Sequence, residues 1–191
     1  MSAVVLNDKI LGVMSDTHGS FPAWLKAREM FGPEVRTILH AGDVLYHGPR
    51  NAIPGGYGPA DLMASINDFY HNGGKVLFAV GNCDAAIDIT VLEPEFKRCV
   101  EVDWRGKKIV MMHGDYFESL RQAARKTGAV LAISGHTHVP GITREDGVIY
   151  LNPGSTTIPK QADPIPTAAI LDDEGIHIKT LDGRELRFEK W

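Results

Sequence analysis

Two histidines one residue apart, His136 and His138, follow directly on an apolar run from Ala129 to Ile133. If that run is a strand, both side chains leave its end on the same side. Alone, a His-x-His pair is a weak signal. Four earlier places repeat the arrangement: Asp16-x-His18, Gly42-Asp43, Gly81-Asn82 and His113-Gly114 each follow a short apolar run. Together these positions offer two carboxylates, one amide oxygen and four imidazoles, namely Asp16, Asp43, Asn82, His18, His113, His136 and His138. The set is poor in thiolate, which excludes a structural zinc site. Seven mixed oxygen and nitrogen donors exceed what one ion takes and suit two divalent ions sharing a bridging carboxylate. Two ions about 3.5–4 Å apart form a clamp for displacement at phosphorus, activating a water and holding the phosphate oxygens.

These donors need elements to carry them. Ile10–Met14, Thr37–His40 and Lys75–Val80 are apolar runs without alternation, the pattern of strands buried on both faces. Between them, a helix is expected over Pro22–Met30, with Ser20 as its cap candidate and Gly32-Pro33 as its stop. A second helix follows Pro59, with Leu62, Ile66, Phe69 and Tyr70 at helical spacing and Gly73-Gly74 at its close. The long loop from Tyr46 to Pro59 holds four glycines and three prolines, and a loop of that length in a compact domain usually serves function.

Val100–Asp103 and Lys108–Met112 read as a hairpin turned at Arg105-Gly106-Lys107, and Phe117–Thr127 as a helix. From Val139 onward mostly antiparallel strands are expected: 141–144, 148–151, 168–171, 176–181 and 185–188, separated by Asp-Gly and Asp-Glu-Gly turns. A βαβαβ half and a β-rich half are both satisfied by a mostly parallel sheet packed on a more antiparallel one, with helices outside. Ligands of open α/β sheets sit beyond the carboxyl ends of the strands, where all five clusters lie. Glycine beside four of the five polar groups suggests exits with positive φ.

Length and composition bound the rest. The 191 residues read as one domain, 1–191, of ordinary globular composition with 43% apolar and 23% charged residues. Twenty basic against twenty-four acidic side chains give a net charge of −4, with no basic block, so no long nucleic acid is expected as a partner. Two cysteines, Cys83 and Cys99, cannot frame the domain with disulfides. No secretory signal is read at Met1–Asp8, and no apolar stretch approaches membrane-spanning length. A cytoplasmic location and no membrane association are expected.

The order Asp-x-His, Gly-Asp, Gly-Asn, His-Gly, Gly-His-x-His resembles the calcineurin-like metallophosphoesterase superfamily, from Asp16 to His138 and on into Asn152-Pro153-Gly154-Ser155. Gly48-Pro49-Arg50-Asn51 and Gly81-Asn82-Cys83-Asp84 resemble the small bacterial YfcE-type phosphodiesterases in particular. The resemblance implies a four-layer αββα sandwich of two mixed β-sheets flanked by helices. It implies that Asp16, His18 and His138 hold one divalent ion, that Asn82, His113 and His136 hold the other, and that Asp43 bridges them. It leans to manganese, while zinc, iron, nickel, cobalt and magnesium also suit such donors. The implied reaction is hydrolysis of small phosphodiesters by in-line attack of a metal-bridging hydroxide, with Asp43, Asn82, Cys83 and His113 as the catalytic set. Similar proteins form dimers or tetramers.

Cys83 departs from the pattern. Many members carry histidine there, as the proton donor to the leaving group. A thiol of ordinary pKa is a poorer acid near neutrality, which favours diesters with good leaving groups, and Cys83→His should broaden the range. Two alternatives stay open: a scaffold of this fold with little catalysis, like the small subunit of the retromer coat, and a phosphomonoesterase. Arg50 and His47 are candidates for substrate contact, the guanidinium through bidentate binding of a phosphate oxygen. Asn152 is expected to order a turn under the His136 loop, and His40 to lie in the core or behind the donors. His71 and His177 read as surface or packing residues, Cys99 as a buried small apolar one, and Trp24, Phe69 and Tyr70 as core.

Overall fold

The structure, a computed structural model, describes residues 3–191. Three short strands come early, the edge strand β1 (Val4–Leu6) and the buried β2 (Leu11–Met14) and β3 (Thr37–His40), with α1 (Phe21–Phe31) between the second and third. Then follow α2 (Pro59–His71), β4 (Lys75–Ala79), α3 (Ala86–Val91), β5 (Phe96–Lys97) and the hairpin β6 (Val100–Trp104) and β7 (Lys107–Met111). α4 (Phe117–Thr127) and β8 (Leu131–Ile133) precede β9 (Gly141–Glu145), β10 (Val148–Asn152), β11 (Thr167–Leu171), β12 (Gly175–Thr180) and β13 (Glu185–Lys190).

The strands form two mixed sheets, in the orders β1-β6-β7-β8-β10-β9 and β13-β12-β11-β2-β3-β4-β5. The expected four layers are present, with one correction. The β-rich tail does not build the second sheet by itself. β9 and β10 join the hairpin sheet, where β10 runs parallel to β8, while β11, β12 and β13 extend the parallel sheet antiparallel from β2. The physical reason is the free edge of β2: its unpaired N–H and C=O groups are covered by β11.

Period-two alternation sorts the side chains into layers. Leu11 and Val13 of β2, Leu39 of β3, Ile109 and Met111 of β7, and Leu131 and Ile133 of β8 all meet between the sheets. The intervening Met14 and Ile38 face α1 and α2, where Trp24, Phe31 and Ile66 pack. Val110 and Ala132 instead face Leu120 and Ala124 of α4. Strands buried on both faces therefore lack polar alternation, as their sequences do not show it.

Several local expectations are revised. β1, α3 and β5 were not legible as elements, being short or weakly apolar. Ser20 stands at the N-cap of α1, but its hydroxyl donates to Gly55 O of the long loop at 3.1 Å instead of capping the helix. Tyr70 is exposed, whereas Trp24 and Phe69 are buried. It sits one step further round α2 than the Leu62, Ile66, Phe69 stripe and so falls off the sheet-facing side. Cys99 is only half-buried.

Leu131→Ala should cost about 2–5 kcal/mol, because its side chain is fully buried between the sheets. Val130→Ala, one residue away and 40% exposed, should stay within about 0.5 kcal/mol. Urea denaturation of the two variants checks the layer assignment.

Candidate metal centre

All seven expected donors converge where the chain leaves β2, β3, β4, β7 and β8. They form two sets. In the first, His138 Nε2 lies 3.3 Å from both Asp16 Oδ1 and His18 Nε2, and His18 Nε2 lies 3.7 Å from Asp16 Oδ1. In the second, Asn82 Oδ1 is 3.0 Å from His113 Nε2 and 2.7 Å from His136 Nδ1. Asp43 Oδ2 stands between them, 3.8 Å from His18 Nε2 and 3.4 Å from His113 Nε2.

A second contact aims almost every donor. His18, His113 and His138 direct Nδ1 at the carbonyls of Tyr46, Ala41 and Ile158, at 3.0, 2.8 and 2.6 Å. Nδ1–H donates in each, which turns Nε2 toward the centre. His136 is reversed and presents Nδ1. One oxygen of each carboxylate is tied to backbone: Asp43 Oδ1 accepts from Cys83 N–H at 2.7 Å and Asp16 Oδ2 from His136 N–H at 3.0 Å. The other oxygen is left for the centre.

Asp16 Oδ1 is buried and has no hydrogen-bond partner. Beside it stand the Nε2 atoms of His18 and His138, acceptors as well once Nδ1 carries the proton. An unpaired carboxylate oxygen ringed by lone pairs lacks one thing, a cation. The donor chemistry therefore fits divalent metal in both sets.

Five of the seven donors adopt positive φ: Asp16 54°, His18 46°, Asp43 59°, His136 67° and His138 59°. The sequence suggested that the neighbouring glycines would take this conformation. Gly42 and Gly114 do, but the strain sits largely on the donors themselves, at a cost of order 1–3 kcal/mol each. Gly81 and Gly135 serve space instead. A Cβ on Gly81 would lie 2.1 Å from Asp43 Oδ1, and one on Gly135 1.9 Å from Ser15 Oγ.

Residues 10–175 match the family model described as the calcineurin-like phosphoesterase superfamily domain. The chain belongs to that superfamily. It is a metal-dependent phosphoester hydrolase. Phosphodiesterase YfcE of Escherichia coli is 33% identical over 174 residues, covering 90% of this chain and 92% of the relative. The solved structure of the E. coli Yfce phosphoesterase superposes with a TM-score of 0.81 at 27% identity, covering 95% of this chain and 98% of the other. Phosphodiesterase MJ0936 of Methanocaldococcus jannaschii is 28% identical over 176 residues, 86% of this chain and 93% of the relative. Vps29 of Entamoeba histolytica, solved with zinc, shares the fold at a TM-score of 0.63 and 22% identity, covering 95% of this chain and 98% of that one.

Around the phosphoesterase centre lie residues that sequence reasoning missed. The Asp84 carboxylate accepts from the N–H groups of Asp43, Val44 and Gly81, at 3.0, 2.7 and 2.7 Å, and so ties the β3 exit to the β4 exit. Burial pushes its pKa up to about 6 against those three donors. Ser155 donates to Asp16 O at 2.8 Å and accepts from Thr157 and Ile158 N–H. The tetrapeptide around it had pointed there, without saying to what it would bond. Asn152 does order the His136 loop: its Nδ2 donates to Gly135 O at 2.7 Å and its Oδ1 accepts from Gly154 N–H. His40 accepts Gly42 N–H on Nδ1, so Nε2 carries the proton to Thr17 Oγ1 at 2.6 Å. Burial holds it neutral, with its pKa down at about 3. His177 lies between Glu185 and Asp172, and His71 faces Glu93, both away from the centre.

A cavity of about 500 Å³ opens over the two sets and is lined by Arg50, Asn51, Cys83 and Lys160 besides four of the donors. Arg50, a candidate for substrate contact, lines this space. His47 does not: it is packed edge-on between the rings of Tyr46 and Tyr57 and is absent from the lining. Lys160 had no signal in the sequence. Its N–H donates to His138 O at 3.2 Å, which places it at the mouth. Cys83 Sγ abuts Gly48, where a Cβ would come within 2.7 Å of it. Burial, and then the neighbouring Asp43 carboxylate, push the thiol up to about 12.

The two sets differ in charge and access. Asp16, His18 and His138 are buried, while Asn82 and His136 are exposed. Burial lowers the pKa of His18. Burial would also lower His113, but the Asp43 hydrogen bond and the Asp16 and Asp43 charges outweigh it and raise His113 to about 9. Below that pH a proton occupies the gap between His113, Asp43 and Asn82, and an ion must expel it. Loading of the second set should therefore strengthen by about tenfold per pH unit up to pH near 9. Calorimetric titration with manganese at several pH values and in buffers of different ionisation enthalpy checks both the two steps and the proton release.

Proposed function

We propose that the chain hydrolyses small phosphodiesters at a pair of divalent ions, manganese being the metal favoured by the family resemblance. The observation that carries the reading is Asp43 Oδ2, which faces His18 of one donor set and His113 of the other at the floor of an open cavity. When bound, the ions would acidify a water and neutralise charge on the phosphate. The chain's own residues do the rest. Asp43 and Asp16 supply the negative charge that holds the ions. At Asp43 burial is opposed by the hydrogen bond and charge of His113, which hold that carboxylate well below the usual carboxylate range. His113 and Asn82 fix the exposed edge where the phosphate enters. Arg50 and Lys160 at the mouth offer cationic donors to its non-bridging oxygens.

Cys83 supports a diesterase over a monoesterase. The thiol is a weak acid beside Asp43, so leaving groups that depart without a proton are favoured. The scaffold reading lacks support, since a scaffold has no physical need for a buried unpaired carboxylate and five strained donors. One domain over 1–191 is in keeping with the single layer of side chains that runs between both sheets. No helix among the described residues is long and apolar enough to cross a membrane, and a cytoplasmic setting accords with free Cys83 and Cys99. Assembly into dimers or tetramers is part of the family expectation.

Protein stripped of metal and reloaded with manganese should turn over a chromogenic diester faster than the matching monoester, and Asp43→Ala should reduce the diester rate by about 10³-fold or more. Equal rates on both esters, or full activity in Asp43→Ala, would sink the reading. Arg50→Ala and Lys160→Ala should each raise KM by roughly 5–50-fold while metal content by elemental analysis stays the same.

A further inference from the structure

His40, the last residue of β3, is wholly buried and belongs to neither donor set. Its ring packs against Phe78, with centroids 5.4 Å apart, and burial keeps it neutral. One ring nitrogen therefore carries a proton and the other a lone pair. Nδ1 accepts the Gly42 N–H at 3.2 Å, and Nε2–H donates to Thr17 Oγ1 at 2.6 Å. Gly42 N–H shares its peptide unit with Ala41 C=O, and that carbonyl accepts from His113 Nδ1–H at 2.8 Å. The three contacts make one chain. It starts at Thr17, between Asp16 and His18, and runs through the 41–42 peptide to His113 of the other set. The other two imidazoles aimed by a carbonyl have no such backing. The Ile158 carbonyl that orients His138 is followed by Pro159, which has no N–H. The Tyr46 carbonyl that orients His18 is followed by His47, whose N–H meets no acceptor among the described residues.

We infer that His40 is a positioning residue for the second donor set, acting on His113 through the peptide between Ala41 and Gly42. By accepting from Gly42 N–H it fixes that peptide, so that Ala41 O holds the Nδ1 proton of His113 and Nε2 faces Asn82 and Asp43. A peptide that donates at nitrogen accepts more strongly at oxygen, and each bond in such a chain strengthens the next. Partners behind a metal-ligating imidazole set its tautomer and its basicity. Thr17 completes the device: its hydroxyl oxygen keeps the His40 proton on Nε2, which leaves Nδ1 free to accept. The inference rests on the reading of His113 as a metal donor. It predicts that the set of Asn82, His113 and His136 depends on His40, and that His18 and His138 do not.

Two measurements test it, and neither is an activity. In long-range ¹H–¹⁵N spectra of the zinc-loaded wild-type chain, His40 should carry its proton on Nε2 and His113 on Nδ1. A proton on Nδ1 of His40 leaves no lone pair for Gly42 N–H and overturns the inference without any variant. Calorimetric titration of the metal-free chain with manganese then compares three substitutions. An asparagine oxygen can stand where Nδ1 stands, a glutamine amide reaches the Nε2 position, and leucine offers neither group. His40→Leu and His40→Gln should weaken the second binding step by about three- to tenfold and leave the first within about twofold. His40→Asn should stay within about twofold of wild type at both steps. Packing alone predicts the reverse order, because asparagine leaves the largest void. Equal losses in His40→Asn and His40→Leu, or a loss at the first step as large as at the second, overturn the inference while the two-ion reading stands. A wild-type chain that takes up only one ion overturns both.

Discussion

The structure depends on holding like against like. Asp16 Oδ1, His18 Nε2 and His138 Nε2 crowd within 3.3–3.7 Å of one another in a buried place, and none of them offers the others a proton once Nδ1 of each ring is committed to a carbonyl. Left alone such a cluster would spread or take up protons. It is kept together by covalent and hydrogen-bonded restraints from outside: the positive-φ exits, the carbonyls of Tyr46 and Ile158, and the Ser155 hydroxyl on Asp16 O. The fold thereby stores the repulsion that a divalent ion relieves, which converts folding energy into metal affinity.

The restraints come from two sheets, not one. β2, β3 and β4 deliver Asp16, His18, Asp43 and Asn82, while β7 and β8 deliver His113, His136 and His138. Each donor set mixes the two origins: His138 joins Asp16 and His18, and Asn82 joins His113 and His136. The gap between the sheets must therefore stay constant to within a few tenths of an ångström at their carboxyl ends. The apolar layer of Leu11, Val13, Met111, Leu131 and Ile133 fixes that spacing, since close-packed interiors resist compression and expansion alike. His113 Nδ1 on Ala41 O and His136 N–H on Asp16 Oδ2 cross the same gap at its polar end.

This division explains what could be read from the chain. Asp16, Asp43, Asn82, His113 and His138 were legible because each follows an apolar run, and a strand end dictates where the next side chain goes. Their partition between two ions came from family resemblance, not from spacing. Asp84 and Lys160 were not legible, because their parts depend on neighbours 40 and 22 residues away in the chain, Val44 and His138. His47 was misjudged for a related reason: whether a loop imidazole faces a cavity or a tyrosine is decided by loop packing, which leaves no period in sequence. The role of glycine was half understood. Conformation accounts for Gly42 and Gly114, but Gly81 and Gly135 are dictated by carboxylate and hydroxyl atoms lying against their Cα, information that exists only in three dimensions.

The asymmetry of the two sets has a mechanistic consequence. Asp16 adds a full charge to the buried set, whereas the exposed set draws its only carboxylate from the shared Asp43. An ion taken up by the buried set would find two carboxylates, Asp16 and Asp43, and one taken up by the exposed set an amide, two imidazoles and the shared Asp43. With fewer negative charges around it, the exposed set would hold an ion more weakly and leave it more electrophilic. It also borders the cavity that Arg50 and Lys160 line, so an entering phosphate meets it first. The buried set lies deeper, with Asp16 and His18 fully covered and only His138 and the shared Asp43 reaching the cavity lining. Charge and access point the same way, and neither was imposed by the other: one follows from residue types, the other from which loops cover which strand ends.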